Sequence, residues 1–450
     1  MATRKSQELG TLPIDRLIVK MGVPASIGIL VMSVYFIVDS IFVGRFVGTA
    51  GLAALTVVMP INFLISSMGM AIGVGGSSVI SRALGADNED HACRTFGNMV
   101  TMVAILVSIL VPVMYFFRDS VLQLFGAEGD ILDPARRYFT ILLVGVPCLA
   151  YAMMSNNVMR AEGAPKYAMV TMMIPAVANM ALDPLFILYF DWGIEGAAWA
   201  TTTSYYLSFA WSVYYFFSGR SGLSLNVARL RLRYPLVREI SAIGVVTLAR
   251  QGAVSLLSIV LNNSLYTYGG ELAVAAYGIA GRMLMFANFP VLGVTQGFLP
   301  IVGYNYGAGF WARVQETIRK SILTGTVLAT SIFAAILFFS RPIVGLFTTD
   351  PALLELAPGA LIVIFLASPL ITVQLIGAAY FQAIGKARPA LLLTLTKQGF
   401  FLIPLILVLP LFFGLAGIWW AFPVADTLAA AVTFWYLQRE VKRRLLPKLA

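Results

Sequence analysis

The feature that most constrains this chain is a series of apolar runs, each about 20 residues long or longer. A helix of that length spans the hydrocarbon core of a bilayer. Charged residues make up only 12% of the chain, about half the share found in soluble domains. The sequence therefore predicts an all-α integral membrane protein whose first partner is the lipid bilayer.

Twelve such runs can be placed along the chain. Their approximate ranges are 24–47, 52–81, 95–117, 137–159, 167–190, 194–217, 240–268, 273–303, 321–340, 359–383, 389–411 and 415–437. The longest polar connection, at 220–238, lies after the sixth run. We therefore predict two six-helix bundles, at residues 1–218 and 239–450, joined by a cytoplasmic linker at 219–238.

Lysine and arginine lie mostly on one side of the predicted membrane. If both termini are cytoplasmic, 23 of the 31 Lys and Arg residues fall in inner segments and five in outer loops. This bias is the positive-inside rule, and it predicts a multi-pass protein of the cell inner (plasma) membrane. It also explains the net charge of +10 without a nucleic-acid partner.

The two halves of the chain repeat each other. A shift of 222 residues, or 221 at the last pair, superimposes small residues that include Gly48 on Gly270, Gly163 on Gly385 and Gly193 on Gly414. A repeat with an even number of spans predicts two bundles of the same orientation with a cleft between them. This pseudo-symmetric architecture suits transport by alternating access.

Two acids interrupt the apolar runs of the first half. By helix rise, Asp39 and Asp183 lie about 10–12 Å below the outer surface, level with Asn179, Thr201 and Thr202. Intramembrane acids mark functional sites, and this set of oxygen atoms suits Na⁺ or a proton shared by two carboxyl groups. The alternatives are a fixed hydrogen bond or ion pair for the acids and, for one threonine, a bond to its own helix.

The second half lacks these acids, because Asp39 aligns with Leu261 and Asp183 with Pro404. It carries its own intramembrane charges, which include Arg250, Lys397 and Asp426. We interpret them as an ion-paired cluster that holds the second bundle together.

Other features concern the substrate and exclude some functions. Seven of the 18 methionines fall between residues 153 and 180, and methionine suits cavities for varied apolar substrates. The single histidine, His91, lies among loop charges, and no phosphate-binding Walker loop is present. We expect neither an enzyme nor a cofactor other than a coupling ion.

The run VDSIFVGRFVGTAGLAALTVVMPI at 38–61 and the loop SRALGADNED at 81–90 add to the repeat. Together these features resemble the multidrug and toxic-compound extrusion (MATE) family over the whole chain, and its DinF-like branch most. The resemblance implies a coupling-ion site at Asp39, Asn179, Asp183 and Thr201, and substrate contacts at Tyr35, Tyr138, Asn156 and Met172. The NorM-like branch has acids in its seventh and tenth spans, where this sequence has none.

The resemblance further implies a monomer that exports small organic compounds, often cationic and amphiphilic, by antiport with H⁺ or Na⁺. One alternative is a flippase for lipids or lipid-linked precursors, whose phosphates would need a basic cavity. Arg250, Arg282 and Lys397 are its support. A membrane enzyme would need a long interfacial loop for its catalytic residues, and the loops here are short.

Overall fold

The computed structural model describes residues 4–448, and over this range it contains helices and no strand. The helices are α1 Arg4–Thr11, α2 Ile14–Phe42, α3 Thr49–Gly85, α4 Glu89–Phe116, α5 Arg118–Leu124, α6 Leu132–Ala161, α7 Pro165–Asp183, α8 Gly193–Phe217, α9 Val227–Leu230, α10 Tyr234–Gly307, α11 Trp311–Gly345, α12 Pro351–Phe365, α13 Ser368–Ala383, α14 Ala387–Leu395, α15 Ile403–Val408 and α16 Pro410–Glu440. Wider π-helical turns extend several of them, at Val43–Val47, Pro184–Tyr189, Thr396–Leu402 and Val441–Leu445.

The number of membrane spans agrees with the sequence. Within residues 4–448, nine helices are long and apolar enough to cross a membrane. One of them, α10, is two helices, since its 74 residues break at Gly270 with φ 63° and ψ −160°. The pair α12 and α13 forms a further span bent by 43°, and the more polar α8 adds 25 residues. Counted this way, the helices give the predicted twelve spans.

The internal repeat is visible in the backbone. Matched glycines of the two halves share a positive φ, at 95° and 63° for Gly48 and Gly270, 75° and 81° for Gly163 and Gly385, and 53° and 55° for Gly193 and Gly414. Glycine enters this region at little cost because it has no Cβ. The same backbone breaks therefore stand at corresponding points of both repeats.

The chain forms two compact units, which are Met1–Thr11 with Ile27–Thr247, and Leu12–Ser26 with Leu248–Ala450. The predicted linker at 219–238 lies within the first unit. Asn98 of α4 donates a hydrogen bond to the carbonyl of Arg231 (3.3 Å) and accepts one from the N–H of Arg233 (2.7 Å). The predicted linker is therefore packed on α4 at this point.

The start of the first span also departs from the predicted bundles, because Leu12–Ser26 groups with the second unit. Small residues allow a close approach there. A Cβ added to Gly293 would lie 1.9 Å from Oγ of Ser26, and one added to Gly297 would lie 2.9 Å from the backbone nitrogen of Gly22. Glycines at helix crossings let backbones meet in this way. Helix α2 thus begins in one unit and ends in the other.

The break at Gly270 is testable. We expect Gly270→Ala to destabilise the protein by about 1–3 kcal/mol, since its φ and ψ lie in a region open almost only to glycine. Gly278→Ala is the matched control, because Gly278 is helical and a Cβ there meets nothing within 4 Å. Thermal unfolding in detergent would show the difference, and equal melting temperatures for the two variants would contradict it.

Candidate functional site

The two acids of the first half meet inside the first unit. Asp39 of α2 is 2% exposed and Asp183 at the end of α7 is 0% exposed. Their carboxyl groups lie close enough to interact directly. Ionised carboxylates only accept hydrogen bonds and repel each other, so a shared proton or a cation between the two groups would stabilise this arrangement.

Asn179 and Thr201 complete this group. With the Asn179 amide oriented so that donors face acceptors, its nitrogen donates to Oδ2 of Asp183 at 2.8 Å. Its oxygen then accepts from the Thr201 hydroxyl at 3.1 Å and from the Thr201 N–H at 3.2 Å. Both residues are fully buried. A hydrogen-bonded path therefore runs from Asp183 on α7 to Thr201 on α8, and Asp39 of α2 lies beside it.

Two tyrosines reach the same path from other directions. Tyr35, one turn before Asp39, and Tyr138 of α6 lie beside Asp39 and Thr201, since all four residues line one small cavity. Thr202 points elsewhere, because its hydroxyl donates to the carbonyl of Ile141 on α6 at 3.2 Å. The prediction that Thr202 joins the ion site is therefore not supported by its geometry. Its partner also lies on a neighbouring helix rather than on its own.

Irregular turns follow both acids. The π-helical segment Val43–Val47 begins four residues after Asp39, and the segment Pro184–Tyr189 begins directly after Asp183. Pro184 has no N–H to give to the helical ladder, which explains a local rearrangement at that point. Such turns are frequent at functional sites. Here they lie at the outer ends of the two helices that carry the acids.

A small cavity opens beside Asp39. Its lining residues are Tyr35, Phe36, Asp39, Leu55, Val58, Met59, Asn62, Tyr138, Leu142 and Thr201. Its volume of ≈ 10 Å³ is close to what a single water molecule needs. Asn62 was not predicted from the sequence, and its amide donates to the Tyr205 hydroxyl at 2.9 Å. A polar amide within an apolar span was the available signal.

The other predicted substrate contacts do not line this cavity. Asn156 donates to the carbonyl of Ala168 and so ties α6 to α7. Met172 lies against Arg160, with its sulfur 3.3 Å from the guanidinium. Met154 and Met159 are fully buried. A role of Asn156, Met172 and the neighbouring methionines in substrate binding therefore stays a prediction.

The charges of the second unit include one buried ion pair. Nζ of Lys397, in the π-helical segment Thr396–Leu402, lies 2.6 Å from Oδ1 of Asp426 on α16. Their side chains are 16% and 6% exposed. Among residues 4–448, the structure shows no ion pair to Arg250. The cluster that we predicted is thus a pair in which each charge compensates the other.

Neutralising one partner of this pair should be costly. We expect Asp426→Asn to destabilise the protein by about 3–5 kcal/mol, because it leaves the Lys397 ammonium buried without a counter-charge. The double variant with Lys397→Met should recover much of that loss. Thermal unfolding of the two single variants and the double variant measures the coupling, and strictly additive losses would argue against the pair.

The fold and this site together define a helical membrane protein of two six-span repeats, with paired carboxyl groups buried in the first. The family model MatE matches residues 24–185 and 247–408, once in each repeat. The chain belongs to the MatE family.

Relatives and solved structures agree with this assignment. The multidrug export protein MepA of Staphylococcus aureus (strain NCTC 8325 / PS 47) is 28% identical over 432 residues, 95% of each chain. The MepA of Staphylococcus haemolyticus (strain JCSC1435) is 28% identical over 90% of this chain and 89% of its own. A MATE structure in the bent conformation is 25% identical, with a TM-score of 0.94 over 100% of both chains. An outward-facing multidrug resistance MATE transporter of the MOP superfamily has a TM-score of 0.93 at 25% identity, over 98% and 99%.

Proposed function

We propose that this protein is a secondary active transporter of the plasma membrane that exports small organic compounds, often cationic and amphiphilic, by antiport with protons. Membership of the MatE family and relatives named for multidrug export support efflux rather than catalysis. The observation that carries the choice of coupling ion is the contact between the carboxyl groups of Asp39 and Asp183. A single shared proton satisfies both groups.

The amide of Asn179 has a role with either coupling ion. With its oxygen toward Asp183 it would offer Na⁺ the oxygen ligands that hard cations prefer. With its donors facing acceptors, its nitrogen donates to Asp183, and such a bond stabilises an ionised carboxylate. In this second arrangement, which suits a proton, Asn179 holds Asp183 after the proton leaves.

The coupling follows from charge and space. Without the proton, two negative carboxylates at close range repel each other, which pushes α2 and α7 apart and leaves a negative site for a cationic drug. With the proton, the site closes. A cavity of ≈ 10 Å³ is far smaller than the roughly 300 Å³ or more of a drug pocket. Proton and drug therefore exclude each other, and their linkage is reciprocal.

The flippase alternative loses two of its three basic residues. Lys397 is neutralised by Asp426, and Arg282 is exposed rather than enclosed, which leaves Arg250 alone. A phosphate-bearing substrate would need uncompensated cations in the transport cavity. We therefore retain organic-compound efflux as the proposed function.

Removing either carboxyl group should stop coupled transport. We expect Asp39→Asn and Asp183→Asn to reduce proton-driven drug efflux from proteoliposomes to background, because neither variant can form the shared-proton pair. Asp130→Asn, in an exposed loop, is the matched control and should transport normally. Near-normal efflux from both Asp39→Asn and Asp183→Asn, at equal protein incorporation, would exclude a coupling role for these two acids.

Drug binding should depend on pH in purified protein. We expect affinity for a cationic drug to fall as pH is lowered, by up to about tenfold per pH unit for one competing proton. Asp183→Asn should flatten this dependence. Replacing Na⁺ by K⁺ at fixed pH should leave affinity unchanged, and a fall in affinity that follows Na⁺ instead of pH would assign the site to sodium. Titrations of drug fluorescence in both salts provide the measurement.

A further inference from the structure

Glu162 is a buried acid that the transport site does not use. It lies outside the spans, between α6 and α7, and is 2% exposed. The Ser221 hydroxyl lies 2.8 Å from both of its carboxyl oxygens, and the Gly222 N–H donates to Oε1 at 2.8 Å. The Tyr215 hydroxyl donates to Oε2 at 3.2 Å. Ser221 and Gly222 lie at the start of the linker. The start of the linker is therefore attached to the Glu162 carboxyl group.

The first helix packs on the other side of the same turn. Gly163 has φ 75°, and a Cβ there would lie 2.4 Å from the carbonyl oxygen of Lys5 on α1. The Lys5 ammonium donates to the carbonyl of Arg220 at 3.3 Å and lies 4.7 Å from the centre of the Tyr167 ring. Within residues 4–448 no direct ion pair joins Lys5 to Glu162. An ionised Glu162 would thus be buried without a cation in contact.

The second repeat shows that the turn itself needs no acid. The matched position is Ile384, which is also buried. The backbone bonds are the same, from the Gly163 N–H to Arg160 (2.9 Å) and from the Gly385 N–H to Gln382 (3.3 Å). Because an apolar residue serves this turn in one repeat, a buried carboxyl group in the other is a costly addition. Its contacts lie with the linker, which the second repeat lacks.

The protonation of Glu162 is set by opposing effects. The pKa of Glu162 is raised to about 7, because burial outweighs the lowering effects of Ser221, Gly222, Tyr215 and the Lys5 charge. Arg220 and Glu8 also interact with the Lys5 charge. The Ser221 hydroxyl can donate to the carboxylate or accept from the protonated acid, and it also accepts from the Leu223 N–H at 3.0 Å. Protonation would therefore reverse the Ser221 bond, while the Gly222 N–H can still donate to Oε1.

The raised pKa of Glu162 sets the sign of the pH dependence. The attached state has a pKa above the ordinary value of 4.5, so it binds the proton more tightly than a released, hydrated carboxyl group does. Attachment is then strongest below the ordinary pKa and weakens as pH rises through about 7. One proton with these two pKa values changes the attachment constant by about tenfold between pH 6 and pH 8.

We propose that Glu162 is a proton-binding site separate from Asp39 and Asp183, and that the proton held there fastens the start of the linker to the turn between α6 and α7. The positive-inside rule places this site on the cytoplasmic face. Its ligand is then a cytoplasmic proton, and the linker loosens when the cytoplasm becomes alkaline. This site goes beyond the proposed transport reaction and does not depend on it.

A native cysteine can report the state of the linker. The Cys93 sulfur is buried, 4.0 Å from the carbonyl oxygen of Gly222 and 4.0 Å from Oγ of Ser224. Loosening of the linker should therefore expose it to a soluble maleimide. The experiment uses the full chain with Cys148→Ser, which leaves Cys93 as the only thiol. Labelling rates at pH 6 and pH 8 are divided by those of the same protein carrying Glu162→Gln, which removes the pH dependence of the thiol itself.

We expect this ratio to rise about tenfold from pH 6 to pH 8. A ratio that does not change with pH, including one in which Cys93 is unreactive at both values, would overturn the proposal. Glu162→Ile, which copies the matched residue of the second repeat, serves as a second reference if the Gln variant is unstable. The assay contains no transport step, so its failure would leave the antiport proposal untouched, and failed transport would leave this site untouched.

Discussion

A carboxyl group removed from water needs something to compensate its charge, and this requirement decides how each polar region of the protein behaves. The charge of Asp426 is compensated within the chain, because the Lys397 ammonium lies 2.6 Å from its carboxyl group. Asp39 and Asp183 lie close to each other, and two acids alone cannot neutralise each other. In the antiport that we propose, a cation from outside would compensate them, whereas the Lys397 pair is suited to holding a bundle together.

The duplication separates what the fold requires from what the function adds. The backbone breaks are copied, since Gly48, Gly163 and Gly193 have partners with the same sign of φ in the second half. The acids are not copied, because Leu261 stands opposite Asp39 and Ile384 opposite Glu162. Glycine at positive φ is a geometric need of each repeat. A buried acid destabilises the fold that contains it, so its presence in one repeat alone indicates a task confined to that repeat.

The physical properties of a bilayer explain how much of the fold and of the site could be predicted from the sequence. Span positions and the common depth of Asp39 and Asp183 follow from chain length and helix rise, and the structure brings these acids together. The direction in which each side chain points could not be predicted. Lipid and protein interior are both apolar, so a spanning helix has no polar face that reveals its rotation. This is why Thr202 was grouped with the ion site, and why Asn62 was overlooked although it lines the cavity.

The same limit explains why the unit boundary inside α2 was not foreseen. Nothing in the apolar run distinguishes Leu12–Ser26, which groups with the second unit, from the residues that follow it in the first. Only the contacts of Gly293 and Gly297 with this segment reveal the division. Coupling between distant sites requires an element whose state both sites influence. Helix α2 could serve as such an element, since the backbone that carries Asp39 continues directly into the segment that groups with the second unit. In the antiport that we propose, a change in the protonation of Asp39 would therefore act on a helix that contributes to both units.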